Sequence, residues 1–189
     1  HLAASLVRAG FPLAVHDRNQ EAARPLLDAG AVWASSAKEV AAACDSVFTC
    51  LPSPRAVAEV VAGDSGLLKG LRAGCTWIDT STNDPHEVRR LATLAAAAGV
   101  GCLEAPVTGG VHLAASGEIT VLVGGDDELY AAHLPAFQAI GGRVFHQTHW
   151  LPLMQVQGSV SEILLDMRQR QGLSIPMLFN AVRRVHEGV

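Results

Sequence analysis

The sequence predicts an α/β fold, a mostly parallel sheet covered by helices, followed by the start of an all-α C-terminal region. Three observations carry this. Short apolar runs alternate with helical patterns as far as His146, the order that builds βαβ units. Runs such as "SVFTCL" (46–51) are apolar throughout, which suits strands buried on both faces. After His146 the alternation stops, and Leu153, Val156, Val160, Ile163, Leu164 and Met167 recur at helical spacing.

Each element has a local reason. "HLAASLVRA" (1–9) reads as a helix already under way, with Gly10 as its stop. "PLAVH" (12–16) is a strand. Asn19 caps a helix over 19–29 that tolerates Pro25, and "AVWA" (31–34) is a short strand. A helix over 37–43 leads to the strand at 46–51, and Pro52 and Pro54 open a helix over 54–62. "CTWIDT" (75–80) is a strand; Asn83 or Asp84 then caps a helix whose first residue is Pro85. Strands over 100–104 and 118–123 flank a bridge of small residues. Asp126, Asp127 and Glu128 place acids at the start of a helix over 126–140, where its dipole favours them. Gly141 and Gly142 separate it from a strand at 143–146. Helices over 151–171 and 174–187 follow, with a domain boundary near 147–151, giving regions 1–150 and 151–189.

Composition narrows the function classes. With 49% apolar and 17% charged residues, a packed core is expected. A net charge of −4 leaves no basic footprint for nucleic acid or an anionic membrane. Cys44, Cys50, Cys75 and Cys102 are too scattered for a zinc site and fit reduced thiols. Cys50 and Cys102 lie in apolar runs and read as small core hydrophobes. No apolar span reaches membrane length and no signal peptide is visible. A cytoplasmic protein is the expectation.

An open α/β sheet binds ligands beyond the carboxyl ends of its strands, and four features fall there. Asp17 and Arg18 follow "PLAVH": the acid suits ribose hydroxyls, the Arg a 2′-phosphate, and either can equally be a turn residue. Leu51 and Pro52 follow "SVFTC". "DTSTNDP" (79–85) offers hydroxyls, or a plain helix cap. "EAPVTGG" (104–110) ends in glycines that serve a turn or let a backbone approach a ligand.

Taken in order, these stretches resemble the β-hydroxyacid dehydrogenases, the family of 3-hydroxyisobutyrate dehydrogenase and of the NAD-binding domain of 6-phosphogluconate dehydrogenase. "LAASLVRAGFPLAVHDR", "LPSPRAVAEVV", "DTSTNDP", "EAPVTGG", "ASGEITVLVGG" and "SEILLDMRQRQGL" carry the likeness over essentially the whole chain. The resemblance implies a Rossmann-like sheet lacking its first strand, with "PLAVH" and "SVFTCL" either separated by a gap one strand wide or bridged from outside the chain. It implies NAD as cofactor, with NADP possible through Arg18, and a small 3-hydroxy acid as substrate. Asp17 would face the adenosine ribose, Leu51 and Pro52 would line the dinucleotide cleft, and Thr82 would approach the nicotinamide. Thr108, Gly109 and Gly110 would cradle the substrate carboxylate. A homo-oligomer formed through the helical region is implied as well.

The departures are as informative. The family's Gly-x-Gly-x-x-Gly loop does not occur in the 189 residues, and the chain reads as a fragment. The family's general acid/base is a lysine on the interdomain helix; the only lysines here, Lys38 and Lys69, do not match it. His146 and His149 stand near its place and read as strand-end or surface histidines. Thr108 replaces the more usual Ser, and Glu104 the usual Asp. Two functions stay in view: an NAD(P)-dependent 3-hydroxyacid dehydrogenase whose present chain is inactive, or a non-catalytic dinucleotide-binding or oligomerising module. Imine reductases, which also lack the lysine, are a third.

Overall fold

The computed structural model describes residues 1–147. The two expected C-terminal helices and the boundary near 147–151 lie outside the described residues.

The chain opens with α1 (Leu2–Arg8), β1 (Ala14–Val15), α2 (Gln20–Asp28), β2 (Val32–Trp33) and α3 (Ala37–Ala43). It continues with β3 (Ser46–Thr49), α4 (Pro54–Ala62), a 3-10 turn at Leu67–Lys69, β4 (Thr76–Asp79), α5 (Pro85–Ala97) and β5 (Gly101–Glu104). Then come β6 (Val107–Thr108), α6 (Gly110–Ser116), β7 (Ile119–Gly124), α7 (Asp127–Ile140) and β8 (Gly141–Gln147).

Caps explain where the helices begin. Asn19 accepts from the Glu21 N–H and Ser53 from the Ala56 N–H. Asp84, not Asn83, caps α5, with Oδ1 accepting from His86 and Glu87 at 2.9 and 3.1 Å. Asp126 does the same for α7. In each case a side-chain oxygen takes orphan backbone donors of the first turn.

β3, β4 and β5 pair in parallel, Ser46 beside Thr76 and Thr76 beside Gly101. β7 enters antiparallel to β5 and β6, and β8 then pairs parallel with β7. β1 and β2 form a separate two-stranded parallel sheet. As expected, β1 and β3 do not pair with each other.

The sheet is buried on both faces because neighbouring strand residues point opposite ways. Val47 and Trp77 join one core with Val57, Val61 and Leu91 from α4 and α5. Phe48, Ile78 and Leu103 join the other with Leu6 of α1 and Phe137 of α7. Ser46 further ties β3 to α7 through the His133 ring at 2.7 Å. Among the described residues no helix is long and apolar enough to cross a membrane.

Several expectations need correcting. The bridge before β7 contains β6 and the helix α6, whose N-cap is Gly109 with no side-chain bond. The glycines expected to divide α7 from its strand belong to β8. A Cβ on Gly141 would lie 2.6 Å from Val121 and 2.7 Å from the Ile119 carbonyl, so close approach to β7 excludes a side chain there. Cys50 is exposed just past the end of β3 and is no core residue, while Cys102 is half-buried as a strand residue should be.

Candidate functional site

The loops that leave β3, β4 and β5 open at one edge of the parallel sheet. The first carries Leu51 and Pro52, the second Thr82. They are joined directly: the Leu51 N–H donates to the Ser81 hydroxyl at 2.9 Å. Thr80 adds a second tie, its hydroxyl and N–H both donating to the Thr49 carbonyl at 2.7 and 2.8 Å. Ser81 and Asn83 are buried, while Thr82 between them is exposed.

Beneath these loops lies a polar network that the sequence reading missed. Trp77 Nε1–H donates to Thr49 Oγ1 at 2.9 Å, and Thr49 Oγ1 donates onward to Asp79 at 2.9 Å. Asp79 is fully buried and also accepts from the Ser81 N–H and the Asn83 amide. The available signal was an acid ending the otherwise apolar "CTWI" run, where an exposed turn residue is the usual reading. Glu104 is the Cα partner of Asp79 on β5. Burial, and then the charge of Asp79, push its carboxyl up to about 7. Burial also pushes the Cys102 thiol up to about 12, helped by Asp79 and Glu104, so this cysteine is no thiolate nucleophile.

The third loop is more rigid than its sequence suggests. Glu104 pairs with Gly124, Val107 with Val121 and Thr108 with Thr120, all in one register, and the Leu122 N–H donates to the Pro106 carbonyl at 3.0 Å. Residues 104–108 thus run as one extended edge along β7. This edge delivers Thr108 to Gly109 and Gly110, whose φ values of +130° and +82° lie in the region glycine tolerates best. Both glycines are exposed.

Asp17 and Arg18 stand exposed at the end of β1, in the separate two-stranded sheet. Asp17 Oδ1 accepts from the Asn19 N–H at 2.8 Å, and its second oxygen makes no hydrogen bond among the described residues. Of the expected site residues, Leu51 is hydrogen-bonded to Ser81, the chain neighbour of Thr82. Thr108 to Gly110 share their sheet, and Asp17 and Arg18 make no hydrogen bond to either group. His146 is packed elsewhere: it stacks on Tyr130 with centroids 3.9 Å apart, and its Nε2 lies 3.2 Å from the Gly125 carbonyl. His149 lies outside the described residues. An open depression lined by Val7, Phe11, Leu13 and Ala31 sits at the amino ends of β1 and β2, the end away from the ligand side of such sheets. No cluster of metal-ligating side chains occurs among the described residues.

A family model described as the NAD binding domain of 6-phosphogluconate dehydrogenase matches residues 1–148. Mitochondrial 3-hydroxyisobutyrate dehydrogenase of Mus musculus is 36% identical over 145 residues. The chain belongs to the β-hydroxyacid dehydrogenase family. The mouse alignment covers 77% of this chain and 43% of the mouse protein. Cytokine-like nuclear factor N-PAC of Homo sapiens is 34% identical over 171 residues, covering 90% of this chain and 30% of that protein. The chain therefore spans less than half the length of these curated relatives. Among solved structures, Mycobacterium tuberculosis 3-hydroxyisobutyrate dehydrogenase with L-serine superimposes with a TM-score of 0.75 at 26% identity, covering 100% of this chain and 66% of that one. The family resemblance read from the motifs is thereby met, as is the mixed α/β, mostly parallel architecture.

Proposed function

We propose that this chain is the dinucleotide-binding part of an NAD(P)-dependent dehydrogenase acting on a small 3-hydroxy acid, of the 3-hydroxyisobutyrate type. The observation that carries the reading is the shared strand edge: the loops after β3 and β4 are hydrogen-bonded to each other there, and the extension of β5 ends there in Thr-Gly-Gly. The residues fit the group. Asp17 is exposed and has a second oxygen for ribose hydroxyls, Leu51 and Pro52 give an apolar wall, and the exposed Thr82 stands on the neighbouring loop.

When bound, the nicotinamide supplies the hydride acceptor or donor. The chain's own residues bind and orient. The Thr108 hydroxyl and the N–H groups of Gly109 and Gly110 hold the substrate carboxylate, so that the carbinol carbon is aimed at the cleft, a gain in positioning. No lysine of this chain stands at the family's proton-transfer position. A positioned acid/base contributes about 10²–10⁴-fold, roughly 3–5 kcal/mol of barrier, so the chain alone should turn over little. The homo-oligomer and the choice between NAD and NADP belong to the same proposal, Asp17 favouring NAD.

A second reading has its own support. N-PAC, named as a nuclear factor, aligns with 90% of the chain, which favours a non-catalytic dinucleotide-binding or oligomerising module. The test is an NMR titration of the labelled chain with NAD+ and NADP+, with absorbance followed in the presence of 3-hydroxyisobutyrate. We expect shifts at Asp17, Leu51 and Thr82 with a Kd of about 1 mM, some 4 kcal/mol of binding, and no turnover. Shifts confined to other surfaces would overturn the site; equal shifts with and without substrate at Thr108 to Gly110 would favour the module.

A further inference from the structure

Thr82 is exposed, yet the residues on either side of it are buried. The reason is the carboxyl group of Asp79, which is 1% exposed and uses its two oxygens separately. Oδ1 accepts from the Ser81 backbone N–H at 3.1 Å and from the Thr49 hydroxyl at 2.9 Å. Oδ2 accepts from the Asn83 side-chain amide at 3.0 Å. One carboxyl group thus grips the loop immediately before and immediately after Thr82.

We infer that Asp79 is a positioning residue, a clamp that presents Thr82 and, through the Ser81 hydroxyl, fixes Leu51 beside it. The inference rests on the cofactor reading above for its purpose, though not for its geometry. Its parts constrain one another. Thr49 Oγ1 accepts from the Trp77 indole at 2.9 Å, which leaves its single proton for Asp79. Asn83 gives its amide to Asp79 and keeps its oxygen for the Asp84 N–H at 2.8 Å. That second bond leads straight into the cap of α5, so the loop is held at strand and helix alike. Ser81 receives the Leu51 N–H at 2.9 Å, so a shift of the Asp79 loop would carry the neighbouring loop with it. Fully satisfied buried networks of this kind define one geometry; half-satisfied ones are costly and lose it.

The clamp is tested on the full 189-residue chain by amide hydrogen exchange at Leu51, Ser81 and Asp84, with NAD+ titration followed in the same spectra. Asp79→Asn sets an amide donor against the Asn83 donor. It leaves an acceptor for the Ser81 N–H but drives the Asn83 amide off its partner or turns it onto the Asp84 N–H, so it should speed Asp84 exchange at least tenfold and weaken NAD+ binding severalfold. The double variant Asp79→Asn/Asn83→Asp restores a donor facing an acceptor, and should recover both readouts. A merely structural loss of the acid would not be rescued. Ser81→Ala removes only the link to Leu51 and should speed Leu51 exchange while leaving residue 81 protected. Unchanged exchange in Asp79→Asn, or a double variant no better than the single one, overturns the clamp. Should Asp79→Asn fail to fold, unchanged Leu51 protection in Ser81→Ala overturns it instead. A wild-type chain that binds no dinucleotide defeats the proposed function, and the exchange pattern still decides the clamp.

Discussion

Gly109 and Gly110 look equivalent in the sequence and are not equivalent in space. A Cβ on Gly109 would lie 2.8 Å from Leu113 Cδ1, whereas one on Gly110 would meet nothing nearer than the His112 ring at 3.5 Å. Both substitutions force a left-handed backbone on an alanine, about 1–3 kcal/mol. Gly109→Ala should therefore lower the urea midpoint more than Gly110→Ala, since Leu113 has to move as well. At Asp17 the expectation concerns specificity. Asp17→Asn keeps an acceptor for the Asn19 N–H and so keeps the turn, but it loses a charged acceptor for ribose hydroxyls. Charged hydrogen bonds are worth roughly 1.5–3 kcal/mol, so NAD+ affinity should fall about tenfold or more while NADP+ affinity changes little. Equal losses for both dinucleotides in an NMR titration would remove Asp17 from the site.

Helix caps were legible because they are local. Asn19, Asp84 and Asp126 each bond a backbone N–H two or three residues ahead, so sequence spacing contains the whole interaction. Asp84→Ala strips two first-turn donors of α5 of their acceptor and should destabilise the chain by about 1 kcal/mol, read as a lower midpoint in thermal or urea unfolding. α6 was illegible for the complementary reason. Its N-cap is a glycine without a side chain to bond, and its seven residues are too few for a clear period. The pairing of residues 104–108 with β7 was hidden too, because Pro106 interrupts the run and its partner Leu122 lies on another element.

At the scale of the whole chain, the Asp79–Glu104 pair couples stability to pH. The Glu104 carboxyl is raised from an ordinary 4.5 to about 7 by burial and by Asp79. Between those values the folded chain holds a proton that the unfolded chain has released, so stability falls as pH rises. The contribution is complete below about 4.5 and gone above about 7, on the order of 3 kcal/mol in all. Glu104→Gln cannot ionise and should flatten this part of the profile. Urea midpoints at pH 5 and pH 8 measure it: wild type should lose more than the variant between the two, and parallel losses would show that Glu104 ionises freely in the folded chain.

The sequence by itself determined the order of strands and helices apart from β6 and α6, most of the capped helix starts, the strands buried on both faces, and the family through its ordered motifs. These depend on neighbours in the chain or on composition over a few residues. Tertiary structure decided the antiparallel entry of β7 and the burial of Asp79 among Thr49, Ser81 and Asn83. Those outcomes depend on which strands meet and in what register. Asp79 and Thr49 lie thirty positions apart, and nothing local to either residue says that an acid there will face inward. Thr82 was visible from its motif; the carboxyl group that holds it became visible only when the strands were paired.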